Sequence, residues 1–126
     1  MTMRSLFLSA LALAGLLAAG SALAAPPASV QDGALVGDKQ MTLYVFDKDT
    51  PNSGKSVCND KCAANWPPLK ASADAKPEGD YTVVTRDDGS KQWAYKGRPL
   101  YYWVKDKAPG DRTGDGVIGA WHVAQP

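Results

Sequence analysis

The sequence predicts a mainly β protein, a small antiparallel β-sheet domain of two similar half-units with one short helix near a cysteine pair. Short β-branched and aromatic runs recur between Gly, Asp and Pro turn formers, which is the spacing of short strands. Residues 43–49 (Leu-Tyr-Val-Phe-Asp-Lys-Asp) also align without a gap on residues 100–106 (Leu-Tyr-Tyr-Trp-Val-Lys-Asp), so one unit is written twice. The best place for a helix is the stretch 59–66 around Cys62, closed by Pro67-Pro68.

Taken in order, residues 1–24 start with a lone charge, Arg4, continue through Leu, Ala and Phe over residues 6–17, and end on Ala22-Leu23-Ala24. That is the pattern of a secretory signal peptide cleaved after Ala24. Its apolar run is shorter than the roughly 20 residues that span a bilayer. No Cys adjoins the cleavage site, so lipid attachment is not expected there, and the mature chain has no second apolar stretch of spanning length. The expected product is soluble and either periplasmic or secreted.

Residues 25–36 are Ala/Pro-rich and aperiodic, and are expected to be a flexible arm ahead of a β domain over residues 37–126. Its half-units are expected at about 37–69 and 91–124. The first strand is residues 41–47, ended by the turn formers Thr50-Pro51-Asn52-Ser53-Gly54. The helix over 59–66 takes Asn59 or Asp60 as its cap, and residues 70–79 read as a surface linker. Runs 81–85, 91–95 and 100–104, separated by Asp88-Gly89 and Lys96-Gly97, predict an antiparallel meander, with a last short strand at 120–123.

Charge and core composition narrow the function. Beyond residue 24 the chain carries 13 Lys+Arg against 13 Asp+Glu, interspersed, so it lacks the basic face that nucleic-acid binding requires. Four leucines and one isoleucine in that stretch are too few for an aliphatic core. The tryptophans, tyrosines and Phe46 are expected to build it instead.

The repeated signature is Tyr44-x-Phe46-x-x-Asp49 and Tyr101-x-Trp103-x-x-Asp106. Around it lie Cys58-x-x-x-Cys62-Ala63 leading to Trp66-Pro67-Pro68, Lys96-Gly97-Arg98-Pro99 before the second copy, and Trp121 after it. In these features the chain resembles the bacterial secreted-repeat family of unknown function, often described as predicted lipoproteins with a conserved Tyr-x-aromatic-x-x-Asp motif. The resemblance covers about residues 36–124 and implies an exported small β domain. It brings no established reaction and therefore no catalytic residue. The absence of a lipidation Cys departs from many members, as does His122 directly after the last Trp.

Physically, strand alternation places Tyr44 and Phe46 on one face, and Tyr101 and Trp103 likewise, with both pairs facing one shared core. Asp49 and Asp106 then fall at strand ends, where a carboxylate accepts turn N–H groups or a tyrosine hydroxyl. The competing expectation is an exposed aromatic surface for a glycan or planar ligand.

In an oxidising compartment Cys58 and Cys62 are expected to form a disulfide. The alternative is a soft Cu(I) site of Cys58, Cys62 and His122, with Met41 as a soft neighbour, in a copper- or redox-linked accessory protein. A single histidine excludes a blue-copper centre and a three-His zinc site. Asp111-x-Thr113-x-Asp115-Gly116 opens like a calcium loop, but its twelfth position is His122 rather than Glu, and turn chemistry accounts for it. No nucleophile elbow is present. A chain this short leaves little room for a substrate cleft with its supporting shell, so no enzymatic activity and no cofactor are expected. The expected role is a monomeric, non-enzymatic binding or envelope-associated protein whose partner is an unknown envelope protein or polymer.

Overall fold

The structure is a computed structural model and describes residues 25–126. The signal peptide expected over residues 1–24 lies outside the described residues. In chain order come β1 (Ser29–Gln31), β2 (Ala34–Val36), β3 (Tyr44–Phe46), α1 (Lys61–Asn65), β4 (Lys70–Ala71), β5 (Tyr81–Thr85), β6 (Lys91–Tyr95), β7 (Arg98–Pro99) and β8 (Trp121–Val123). All pairings are antiparallel: β1 with β2, β3 with β8, and β6 with β5 along one edge and with β4 and β7 along the other. The mainly β class with one short helix beside the cysteine pair is therefore what the chain adopts. No helix among the described residues is long and apolar enough to cross a membrane.

The flexible arm expected over residues 25–36 is corrected. Residues 29–36 form the β1–β2 hairpin, with Gln31 opposite Ala34 and Ser29 opposite Val36. Its turn residues Asp32 (φ 49°) and Gly33 (φ 77°) are both left-handed, as a tight two-residue hairpin turn requires. Burial of Ala34, Leu35 and Val36 then offsets the entropy of ordering the segment. The same chemistry recurs at Lys96 (φ 49°) and Gly97 (φ 85°) between β6 and β7. At Gly97 a Cβ would lie 2.1 Å from Asn52 Oδ1, so no larger residue fits without a shift.

The meander is shorter than expected. Only Arg98 and Pro99 pair with β6, opposite Tyr95 and Ala94. Tyr101 leaves that sheet to bridge Tyr44 and Pro68, and the linker expected over 70–79 begins with β4, which completes the β6 edge. In α1, Asp60 occupies the N-cap position but makes no side-chain cap bond. Trp66 N–H bonds Cys62 O (2.8 Å) to close the last turn before the prolines.

Alternation along the repeated strands divides the interior into two cores. Tyr44, Phe46 and Tyr101 point into a cluster with Cys58, Trp66, Ala120 and Trp121. Leu43 and Leu100, one residue earlier in each copy, point to the opposite side and join Leu35, Leu69, Ala28 and Ala124. The expectation of an aromatic core thus holds for one side only. All four leucines beyond residue 24 gather in the second core, completed by Val45, Tyr81, Trp93, Tyr95 and Tyr102 packed against it.

The half-units make equivalent bonds. At their junction Tyr44 N–H bonds Tyr101 O (2.8 Å) and Tyr101 N–H bonds Tyr44 O (3.0 Å), a reciprocal pair. Asp47 N–H to Ala120 O (2.8 Å) is matched by Val104 N–H to Asn65 O (3.1 Å). Leu35 N–H to Ala124 O (2.9 Å) is matched by Trp93 N–H to Leu69 O (2.8 Å). The last match equates the β1–β2 hairpin with β5–β6, so the hairpin ahead of each Tyr strand is part of the unit.

Candidate functional site

The motif rings meet at the junction of the two units. Trp66 and Trp121 stack with centroids 3.7 Å apart and planes within 3°. Trp103 lies on the outer face of Trp66 (4.0 Å) and Phe46 on the outer face of Trp121 (4.2 Å), giving a continuous four-ring stack. Each outer ring belongs to the opposite unit from the tryptophan it covers. Tyr44 meets Trp66 edge-on (5.5 Å) and Tyr101 meets Trp121 edge-on (5.1 Å), the geometry favoured by ring quadrupoles. Tyr44, Tyr101, Phe46, Trp66 and Trp121 are all buried, and only Trp103 at the end of the stack is partly exposed. Five of these six rings therefore have no surface to offer a glycan. Gly114 sits against the stack, where a Cβ would lie 2.9 Å from Trp66 Cη2 and 3.0 Å from Trp103 Cγ.

The motif acids cross between units in the same way. Tyr44 Oη–H donates to Asp106 Oδ2 (2.6 Å), and Tyr101 Oη–H donates to Asp49 Oδ2 (2.5 Å). The second oxygen of each acid holds a loop: Asp49 Oδ1 accepts Val57 N–H (2.8 Å), and Asp106 Oδ1 accepts Thr113 N–H (3.0 Å) and Thr113 Oγ1–H (2.6 Å). Each acid is thus both a turn acceptor and the partner of a buried hydroxyl. Burial raises the Asp49 carboxyl above the ordinary carboxylate range, opposed by the Tyr101 hydroxyl, the Val57 amide and the Arg86 charge.

Burial first, and the acid partner second, also push the hydroxyls of Tyr44 and Tyr101 well above the ordinary tyrosine range. The sign follows by linkage: with folded values above the unfolded ones, their contribution to stability is complete below the unfolded tyrosine value of about 10 and is lost as pH rises through the folded values. In an alkaline titration, the phenolate absorbance of these two residues is expected to rise only together with loss of ellipticity. Ionisation of all five tyrosines near the ordinary value with the fold intact would count against the exchange.

Sequence reasoning missed the polar centre beside Asp49. Arg86 is buried, and its guanidinium donates to Ser56 Oγ (3.1 Å), Gln92 Oε1 (2.7 Å) and Cys58 O. Gln92, fully buried, passes on a bond from Nε2 to Leu100 O (2.8 Å). Because the Tyr101 proton is committed to Asp49, Ser56 Oγ–H donates to Tyr101 Oη (2.6 Å) while its oxygen accepts Cys58 N–H (3.1 Å) and Arg86. One signal was available: with Val84 facing inward, strand alternation turns Arg86 inward as well.

Cys58 and Cys62 lie at disulfide-bonding distance, with Sγ atoms 1.99 Å apart. Cys62 lies in the first turn of α1 and Cys58 ahead of it, and Cys58 belongs to the aromatic core. Closing so short a ring stabilises by about 2 kcal/mol in the loop-entropy model. Urea unfolding with and without reductant is expected to differ by about that amount, and a loss above about 5 kcal/mol would assign the pair a role beyond its local turn.

The alternative site of Cys58, Cys62 and His122 is not assembled. His122 follows the inward-facing Trp121 on β8, so alternation turns it outward, where Nε2 lies 2.8 Å from Asp47 Oδ2. Among the described residues no group of three or more His, Cys, Asp or Glu is placed to hold a metal ion. The calcium-like loop is likewise occupied by turn bonds: Asp111 Oδ2 accepts Lys107 N–H (2.8 Å), and Asp115 Oδ1 accepts Val123 N–H (3.1 Å).

At the surface, a cleft of about 680 Å³ lies between α1 and the β5–β6 turn, lined by Asp60, Pro67, Lys70, Asp87 and Asp88 among others. A second, of about 410 Å³, lies beside β8 and the β6–β7 turn, lined by residues that include Val45, Tyr95, Lys96, Arg98 and His122. The sequence pointed to neither, because each is bounded by elements distant in the chain.

Among known families, the model described as a secreted repeat of unknown function matches residues 28–70 and again residues 82–125. The two matches start at the β1–β2 hairpin and within β5, so each unit is wider than the 37–69 and 91–124 expected from the motif alone. Searches among curated proteins and among solved structures return no match. With well over half of the chain matched, and with each matched unit supplying the acid and the outer ring that the other unit's Tyr and Trp require, the chain belongs to the secreted-repeat family of unknown function.

Proposed function

We propose that the protein is exported to the periplasm or the medium after cleavage near Ala24 and acts there by binding, as a non-enzymatic module whose partner is an envelope protein or polymer. The observation that carries this reading is that the interior groups capable of chemistry are already spent on structure. Asp49, Asp106, Tyr44, Tyr101 and Arg86 bond one another or the backbone and are buried. A general acid or nucleophile must be free to meet substrate, and the one of these groups that borders a cleft, Arg86, already has its guanidinium bonded to Ser56, Gln92 and Cys58 O. What the arrangement supports is a rigid scaffold that presents its surface clefts at fixed geometry.

The family's description as secreted supports the exported location. The test has two arms. Purified protein is expected to turn over neither peptidoglycan nor simple esters, and, when immobilised, to retain from an envelope extract a partner that then binds it saturably in purified form. Turnover that disappears in His122→Ala would overturn the non-enzymatic reading.

A further inference from the structure

The smaller cleft differs in charge from the rest of the chain. Beyond residue 24 acids and bases balance at 13 each, yet the lining of this cleft contains Lys96, Arg98 and His122 and no Asp or Glu. His122 Nε2 lies 2.8 Å from Asp47 Oδ2, and among the described residues no Lys or Arg lies within ion-pair distance of a carboxylate. Lys96 and Arg98 are exposed and, among the described residues, have no carboxylate partner, Lys96 Nζ lying 5.2 Å from the centroid of the Tyr95 ring. Lys96 stands in the positive-φ turn with Gly97 and Arg98 follows it as the first residue of β7, so the backbone sets both cations at one end of the cleft.

The interior of the cleft is apolar. Leu100 and Ala124 are buried beneath it, while Val45, Val123 and the Tyr95 ring are half-buried around it. A cleft of about 410 Å³ falls in the size range of small-molecule sites, roughly 300–1,000 Å³. The larger cleft has the opposite balance: Asp60, Asp87 and Asp88 line it against Lys70, and the guanidinium of its Arg86 is bonded to Ser56, Gln92 and Cys58 O.

We propose that the cleft beside β8 binds an organic carboxylate, its charge held by Arg98 and Lys96 at the rim and its apolar body seated against Val45, Val123 and the Tyr95 ring. The planar guanidinium of Arg98 matches a carboxylate through two parallel N–H bonds, and the apolar body covers surface that water otherwise wets. This assignment rests on the binding role proposed above and supplies its ligand class.

Octanoate, octanamide and octylamine serve as probes, with backbone amide shifts as the readout. Octanoate is expected to shift Val45, Leu100, Val123 and Ala124 saturably, with octanamide and octylamine each weaker by about tenfold or more. The double variant Lys96→Gln/Arg98→Gln is expected to weaken octanoate by about tenfold with ellipticity unchanged, and Lys96→Arg to retain it. Equal binding of octanoate and octanamide, an unaffected double variant, or no shift up to the solubility limit would overturn the proposal. Octanoate shifts confined to the larger cleft would also overturn it while leaving the wider binding role standing. That role fails separately, through the turnover test.

Discussion

Trp121→Ala is expected to lower the free energy of unfolding by about 3–5 kcal/mol, the range for deleting a large buried aromatic. Trp121 is 1% exposed, touches Trp66 and Phe46 on its two faces, and receives the edge of Tyr101. Its removal opens a void in the middle of the four-ring stack, which Trp66 and Phe46 cannot fill because β3–β8 pairing holds the backbone of Phe46 and the end of α1 holds that of Trp66. Domains of this size have roughly 5–15 kcal/mol in total, so the loss removes a large fraction of it and a marked fall in the urea midpoint is expected. Urea unfolding followed by tryptophan fluorescence and ellipticity checks it. Trp66→Ala, the equivalent change in the other unit, is expected to cost a similar amount, whereas Trp103→Ala, at the partly exposed end, should cost less. Losses below about 1.5 kcal/mol for both inner tryptophans would sink the idea that the stack is the centre of the fold.

The second large effect is expected at the crossed Tyr–Asp pairs. Asp49→Ala strips the acceptor from Val57 N–H and from the Tyr101 hydroxyl, and a cost of about 2–3 kcal/mol is expected for leaving such groups unsatisfied in the interior. Tyr101→Phe leaves the Asp49 carboxylate buried without its hydroxyl donor, with a comparable cost. In a double-mutant cycle the two are expected to couple by about 1–2 kcal/mol, since neither bond exists without the other partner. The pair Asp106 and Tyr44 should give the same pattern. Independent, additive losses would show that the crossed bonds are incidental.

The pH dependence offers a further check on the same residue. Burial raises the folded-state value of Asp49 above its unfolded value, so the proton it holds in the fold favours folding below the ordinary carboxylate range. That contribution is lost as pH rises through the folded value. Asp49→Ala removes it, so on top of the loss expected above the slope of its stability profile should differ from the parent in that window.

Much of this architecture can be read along the chain because it depends on local rules. The repeat of residues 43–49 at 100–106 shows two units, and the Cys pair lies beside the one short helix. The Asp32-Gly33 turn was equally legible: two adjacent residues suited to positive φ, flanked by Val30 and Leu35, make a hairpin. The Ala/Pro content of residues 25–29 obscured it, and the arm expected there was the result. The third strand of the meander failed for another reason. Residues 100–104 have strand composition, but Tyr101 finds its partners in Tyr44 and Pro68, and composition says nothing about which edge a strand joins.

The candidate surface was still less visible. Lys96, Arg98 and His122 stand in unrelated local contexts, the first two in a turn and its following strand and the third after a core tryptophan. They share one cleft because β8 pairs with β3, bringing residues 75 positions apart side by side at His122 and Asp47. Arg86 follows directly on β5, and its role shows only in the bonds its guanidinium makes to Ser56, Gln92 and Cys58.

By itself the sequence determined what is periodic or covalent: the β class, the two units, and the alternation that turns Tyr44 and Phe46 one way and Leu43 the other. These follow from nearest-neighbour geometry, in which side-chain direction is set every second residue. Only the tertiary structure decided that each unit completes the other, Tyr44 with Asp106 and Tyr101 with Asp49, and which surface cations share a cleft. Such pairings close loops of more than fifty residues, and their register is chosen by the summed burial of both cores, which no local segment encodes.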